Sequence, residues 1–486
     1  MAFMVWLFKA FFRVRWSQTS PSDQASPAAS LGVGQLRFDE GHHESELTAF
    51  LASLAEAKDR YLSYDPGKDG FQLFFNRADG YRKFSGGGPT HREFLAAVAS
   101  SKVASCESIF IGGSFCRCNL KQLEEIVRAL VPNSNFTKVM FNMSGCTTLQ
   151  MSGCVSNLLS GNKAIEHLEV VTNFREVVGK EAAELVANGL RENRALKKLD
   201  MWRLYDSLVV DEAMEELTKP LKENDSVLQE LKVGQVTDVG LEHLGAMLGT
   251  NTSLKRLTYS RPRMVGYSTR SDEVYMRGYT SLSVALCVNR SLEALACVIA
   301  SSMELKVLLQ PLMPTNNKPE ANITLTDLSL NRSRIGGKEG VDILVDMIRT
   351  NTSLLRLDFW QMTELSDSDP DAVENAVAIL EALKTNKSLK VVSFGGCTGV
   401  GGYKVLGTMM DLLSENRQLE LYLQNDELEE TELRSAGLES SGDARYFLSK
   451  LEVRKKVKLW DWIKGQANVS PKLGRIFLCG NLYARK

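Results

Sequence analysis

The stretch Asn351–Trp360, "NTSLLRLDFW", has a near twin far upstream in Asn193–Trp202, "NRALKKLDMW". Aligning the chain on the Asn brings out further copies: "NKAIEHLEV" from Asn162, "NTSLKRLTY" from Asn251, "NRSLEALAC" from Asn289, "NITLTDLSL" from Asn322 and "NKSLKVVSF" from Asn386. The common frame is N-x-x-L-x-x-L-x-L. Weaker copies are "NSNFTKVMF" from Asn133, "NDSVLQELKV" from Asn224 with one extra residue, and "NRQLELYL" from Asn416 with one too few. "CESIFI" from Cys106 keeps the pattern but lacks the Asn. Copies recur about every thirty residues, the scale of stacked supersecondary units.

One full unit, Leu325–Asn351, "LTDLSLNRSRIGGKEGVDILVDMIRTN", shows what each copy builds. Period-two alternation opens it, which predicts a strand; after Gly336, Gly337 and Gly340 the pattern becomes helical. Val341, Leu344, Val345 and Ile348 then form a single apolar stripe. Similar stripes are Leu406, Met409, Met410 and Leu413, and more loosely Val373, Ala376, Val377 and Leu380. A strand-turn-helix unit cannot bury its Leu face alone, whereas stacked units lay their strands in a parallel sheet with helices outside. The expected class is α/β, a solenoid with strands on the concave face.

This frame resembles the leucine-rich repeat family, in particular its ribonuclease-inhibitor-like subtype with long helical repeats. The resemblance covers residues 100–424 and implies a horseshoe; it says little about function. The family usually carries Asn or Cys eight residues after the first strand Leu. Asn173 and Cys397 stand there, but so do Ser114, Ser144, Ser333, Leu204, Val236, Pro262, Ala300 and Met362. Regular turns are therefore not expected in the middle of the array.

Residues 1–37 read as an N-terminal extension and linker, 38–99 as a capping region and 425–486 as a helical C-terminal cap or tail. "ESELTAFLASLAEAKDRYL" from Glu44 has helical character, and Thr90 with Glu93 forms a capping box for a further helix. The first sixteen residues are apolar, with Lys9, Arg13 and Arg15 placed within and after the apolar run. They are too short to span a bilayer. An organelle transit peptide, an interfacial anchor and an unstructured extension all remain open.

Composition excludes little. With 44% hydrophobic and 24% charged residues and a net charge of -1, the chain is ordinary for a globular protein and carries no overall pull towards nucleic acid. Nine cysteines, an odd number without a framework, read as reduced packing residues. "CRC" at Cys116–Cys118, with distant His42, His43 and His91, lacks the paired spacing of a structural zinc site. The Asn of the frame creates sequons at Asn251, Asn351 and Asn386. A structural role at the helix-to-strand turn, from local hydrogen bonds and tolerance of the left-handed region, is the preferred account.

No nucleotide-binding P-loop, nucleophile elbow or zincin motif occurs, and "GGKEG" at Gly336–Gly340 is read as a turn. Neither catalysis, cofactor, metal nor small-molecule substrate is expected. Strand parity points alternate residues to solvent. Arg356, Asp358 and Trp360, and likewise Lys198, Asp200 and Trp202, are thus the candidate partner-binding residues. His167, Glu169 and Arg256 join them, beside Glu230, Lys232 and Asp327. Trp and Arg dominate interface hot spots. Equally, each Trp may be read as folding over the neighbouring turn and each Asp as pairing with its adjacent cation. Mixed charge favours a protein over nucleic-acid phosphates. The expectation is an intracellular, cytoplasmic interaction scaffold, with organelle targeting open. Two alternatives are a small-GTPase regulator resembling the Ran GTPase-activating proteins and a scaffold tethered to membrane through residues 1–16.

Overall fold

The structure, a computed structural model, describes residues 60–64, 71–75, 95, 98, 108–112, 120–142, 146–171, 177–201, 208–261, 276–314, 322–366, 369–394, 397, 405, 408–409, 411–412, 415–416, 418–424, 457–458 and 475–479. Strands and helices alternate along the repeat array. In chain order they are β1 (Arg60–Tyr64), β2 (Phe71–Phe75), β3 (Ser108–Gly112), α1 (Leu120–Leu130), β4 (Lys138–Asn142), α2 (Thr148–Gly161), β5 (His167–Val171) and β6 (Val177–Val178). Next come α3 (Lys180–Glu192), β7 (Lys198–Met201), β8 (Leu208–Val209), α4 (Asp211–Lys222), β9 (Glu230–Val236), α5 (Asp238–Leu248), β10 (Arg256–Ser260), α6 (Met276–Val288) and β11 (Ala294–Ala296). The remainder are α7 (Ser302–Leu309), β12 (Asp327–Ser329), α8 (Gly337–Thr350), β13 (Arg356–Asp358), α9 (Ala372–Thr385), β14 (Val391–Ser393), β15 (Glu420–Gln424), β16 (Val457–Lys458) and β17 (Arg475–Cys479).

The sheet is parallel and open. Its main order is β1, β3, β4, β5, β7, β9, β10 to β15, then β17, with β6 and β8 forming a side ladder against β9. Register carries the frame's second Leu from strand to strand as Ile109, Val139, Leu168, Leu199, Leu231, Leu257, Leu295, Leu328, Leu357, Val392 and Leu421. All are buried. The helices cover the same side. On α8, Val341, Leu344, Val345 and Ile348 are buried as the stripe requires. On α9 the core face is Ala372, Ala376, Ile379, Leu380 and Leu383, so Val373 and Val377 only flank it. The α/β solenoid of leucine-rich repeat type expected from the frame is the fold of the chain.

Between repeats, the frame Asn does more than shape a local turn. Asn193 donates its amide to the carbonyls of Leu159 (2.8 Å) and Asn162 (2.9 Å) and accepts the N–H groups of Ala195 (2.8 Å) and Leu196 (2.7 Å). Asn162, Asn289, Asn322 and Asn386 repeat that pattern. Each one satisfies an orphan carbonyl at the end of the preceding repeat's helix, so the turns are cross-linked into a ladder. The left-handed account of these residues is corrected: Asn162, Asn193, Asn351 and Asn386 are extended, with φ between −94° and −71°. Only Asn224, in the copy with an extra residue, is left-handed, at φ 58°.

Both ends depart from the sequence reading. The residues expected to finish a helix from Glu44 form β1, which pairs antiparallel with β2 and parallel with β3. The described part of 425–486 is strand, not helix: β17 lies parallel to β15 and pairs antiparallel with β16. Strand residues supply backbone groups that continue the sheet beyond the outermost repeat, which a helix cannot do. The capping box at Thr90 and Glu93 lies outside the described residues, although Leu95 and the buried Val98 are helical.

Turn positions after the strands are solved one by one. The Ser333 hydroxyl accepts the N–H of Ile299 (2.9 Å), while the Cys397 thiol donates to the Phe359 carbonyl (2.9 Å). Where Met362 replaces them it is buried, and the chain winds into a single 3-10 turn, Thr363–Leu365. Ser114, Ser144, Asn173, Leu204 and Pro262 lie outside the described residues.

Candidate functional site on the sheet face

Two rows of side chains run across the strands on the face away from the helices. The first passes through Lys138, His167, Lys198, Glu230, Arg256, Ala294, Asp327, Arg356, Val391 and Glu420; the second through Met140, Glu169, Asp200, Lys232, Thr258, Ala296, Ser329, Asp358 and Ser393. Neighbours in a row lie one strand apart, about 4.8 Å. Charges of opposite sign on adjacent strands therefore meet.

On β5, β7 and β9 they form a network. Lys198 pairs with Glu230 at 2.9 Å and Lys232 with Asp200 at 3.2 Å, all four half-buried. Burial works against the Lys232 charge, yet Asp200 and Glu230 raise its pKa above the ordinary lysine value. Burial, then the charges of Lys198, Lys138 and Lys232, holds His167 down to about 3. Its Nε2 atom is shut off from solvent without a hydrogen-bond partner. Beside it, burial and Asp200 push Glu169 above the usual carboxylate value, against the pull of Lys232, Lys138 and Lys198. Each pair at the edge of solvent contributes at most about 1 kcal/mol. The network's effect is to hold side chains in fixed places.

The C-terminal half of the face is different. Small residues Ala294 and Ala296 on β11 separate Arg256 from the Arg356–Asp327 pair (3.3 Å), and Ser329 and Ser393 keep the second row small beside that pair. Asp358 is not open to solvent as strand parity predicts. β13 ends at that residue, and the buried carboxylate accepts the N–H of Trp360 (3.2 Å) as the chain reverses through Gln361 at φ 56°. Trp360 is half-buried, with the Arg332 guanidinium of the preceding repeat 4.8 Å from its ring centroid. The Trp360 ring thus lies against the turn of the neighbouring repeat while keeping part of its surface in solvent. Trp202 lies outside the described residues.

Sequence reasoning missed two buried acids. Glu304, 1% exposed, forms an ion pair with Arg261 at 2.6 Å and accepts the N–H of Ala300 (2.9 Å), pinning the residue that follows β10. Glu364 reaches from the next repeat to accept the N–H groups of Gly336 (3.0 Å) and Gly337 (3.3 Å). Both glycines have positive φ, a turn closed to most L residues. "GGKEG" thus holds an anion after all, but the anion is the chain's own carboxylate. Glu304 stands in the first turn of α7, where an acid is read as a solvated helix start, and Glu364 in the 3-10 turn after β13, where no period marks it; neither was legible.

Among the described residues no group of three His, Cys, Asp or Glu is gathered as for a metal, and no helix is long and apolar enough to cross a membrane. Cys146, Cys154, Cys297 and Cys397 are buried; burial pushes Cys154 and Cys297 up to about 12, as suits packing thiols.

No family model matches the chain. Over 172 residues it is 31% identical to Protein TORNADO 1 of Arabidopsis thaliana, a match that takes in 34% of this chain and 11% of that protein. Among solved structures it is similar to yeast Rad7, from the complex of Rad7 and Elc1, with a TM-score of 0.35 and 12% identity over 71% of this chain and 86% of that chain. That superposition is too loose to define the site. The fold rests on the chain's own repeats.

Proposed function

We propose that the chain is a non-catalytic scaffold whose sheet face receives a protein partner. One observation carries this reading: charged side chains at fixed strand intervals are held by ion pairs across a face that the helices leave open. A rigid, mixed-charge surface selects a protein by complementarity and repels mismatched charge. Helices long enough to fill each repeat favour the ribonuclease-inhibitor-like subtype. The same reading places the protein in the cytoplasm, with residues 1–16 as the segment to test for organelle or membrane attachment.

Affinity capture by the full chain is the test, comparing Arg256→Glu with Arg356→Glu on the sheet face against Val284→Lys with Val288→Lys on exposed positions of α6. Loss of the same partners from the first pair alone is expected. Loss from the α6 pair alone would move the site to the outer surface. Stimulated hydrolysis of GTP by a captured GTPase would replace the scaffold with a catalytic regulator.

A further inference from the structure

The paired charges leave a remainder on the N-terminal half of the sheet face, and its sign is positive. Register sets Lys138, His167, Lys198, Glu230 and Arg256 in one line across β4, β5, β7, β9 and β10. Lys198 is committed to Glu230. Lys138 and Arg256 are exposed and have no ion pair among the described residues. Glu169, the half-buried carboxylate between them in the second row, also lacks one, so a single unpaired carboxylate stands against two unpaired cations. His167 feels the same cationic surroundings and stays neutral at physiological pH. From solvent, the line offers two free cations four strand intervals apart, about 19 Å at the usual strand spacing.

We infer that the partner of this face presents an extended acidic segment, with carboxylates about six residues apart, that crosses the strands from Lys138 to Arg256. The inference rests on the sheet-face reading given above. Six extended residues at about 3.3 Å each span the distance. Between the two cations lie Glu169, Asp200 and Glu230, which a peptide can meet with neutral or basic residues. A nucleic-acid strand cannot, because it carries a phosphate about every 3.4 Å of its axis and would run over all three carboxylates.

A phage-displayed library of random twelve-residue peptides, selected on the full chain, tests this. Enrichment of Asp or Glu pairs about six residues apart is expected. Lys138→Glu with Arg256→Glu should weaken the selected peptides about ten-fold, the worth of two surface ion pairs together with the repulsion that replaces them. Lys138→Gln with Arg256→Gln should give a smaller loss in the same direction, and guards against a folding defect in the reversed variant. Selection of basic or apolar peptides that still need this face would overturn the acidic segment and leave the sheet-face reading standing. Peptides indifferent to every sheet-face variant would overturn both. A single-stranded oligonucleotide that displaces the selected peptides more tightly than they bind would replace the peptide with a polyphosphate and overturn the inference.

Discussion

Asn386→Ala removes one rung of the ladder that ties each turn to the one before it. The side chain is 3% exposed and makes four hydrogen bonds with the backbone, to the carbonyls of Ile348 (2.6 Å) and Asn351 (3.1 Å) and from the N–H groups of Ser388 (3.0 Å) and Leu389 (2.8 Å), besides one from the Ser388 hydroxyl (3.2 Å). The Asn351 carbonyl keeps the Ser388 hydroxyl at 3.3 Å, so three backbone groups lose their partner. A buried group left unsatisfied costs about 1–3 kcal/mol, and neighbouring losses are not additive; the expected destabilisation is about 3 kcal/mol. Asn224→Gly is the control. It also removes inter-turn bonds, to the Thr250 carbonyl (3.1 Å) and from the Thr252 N–H (3.0 Å) and hydroxyl (3.2 Å), but at an exposed site. Water can replace those bonds, and glycine accepts the φ of 58°, so the loss should stay below about 1 kcal/mol. Solenoids unfold as coupled units, so urea melts followed by circular dichroism should be joined to hydrogen exchange at residues 389–393. Equal losses for the two variants would refute the ladder as a source of stability.

Four other outcomes follow from the same geometry. Leu357→Ala, at a fully buried position, should cost about 2–5 kcal/mol in thermal or urea unfolding, whereas Trp360→Ala should cost about 1 kcal/mol through the lost Arg332 contact; equal costs would make Trp360 a core residue. Glu364→Ala should destabilise by about 2 kcal/mol by stripping the Gly336 and Gly337 N–H groups, and Glu364→Gln, whose amide oxygen still accepts, by less; the reverse order in urea melts would exclude the capping role. Because the folded chain holds His167 near 3, the unfolded chain binds more protons between there and the ordinary histidine pKa of about 6.5, so stability should fall as pH drops through that window; Glu169, raised in the folded state, acts in the opposite sense. That opposing effect falls inside the His167 window, above the ordinary carboxylate value, so His167→Gln should flatten or reverse the slope, and an unchanged slope would assign it to other groups. Expression through a secretory host should leave Asn251, Asn351 and Asn386 without glycan by intact mass, since each side-chain amide is buried in the ladder.

What the sequence could and could not disclose follows from which forces are periodic. The strand Leu positions and the α8 stripe are repeated demands of one core, so they appear as a pattern and predict burial residue by residue. The ladder Asn was visible as a recurrent letter, but its partners lie one repeat back, and a local turn explained the letter equally well. Strand parity put Arg356 in solvent, as found, but could not show that Asp358 is buried, because the carboxylate is taken up by the N–H of Trp360 in the turn where β13 ends. Pairings such as Lys198 with Glu230 depend on register across about thirty residues, which only the stacked sheet supplies. Glu304 in the first turn of α7 and Glu364 in a 3-10 turn answer needs set elsewhere in the chain.

The one irregular rung shows why register matters to the sheet face. In the copy that begins at Asn224 an extra residue displaces the Asn, which is left-handed and bonds forward to Thr250 and Thr252 instead of back. Ser226 moves into the buried position, and its hydroxyl accepts the N–H of Leu228 (3.3 Å). Asn251 then reaches back to Leu221 (2.7 Å), so the stack stays cross-linked on both sides of the insertion. As a result β9 still pairs Glu230 with Lys198 and Lys232 with Asp200 in register. Had the extra residue entered the strand, a one-residue slip would have turned Glu230 and Lys232 into the core and Leu231 out. Absorbing the insertion in the turn keeps the charged rows in line, and a line fixed before binding spares a partner the entropy of ordering it.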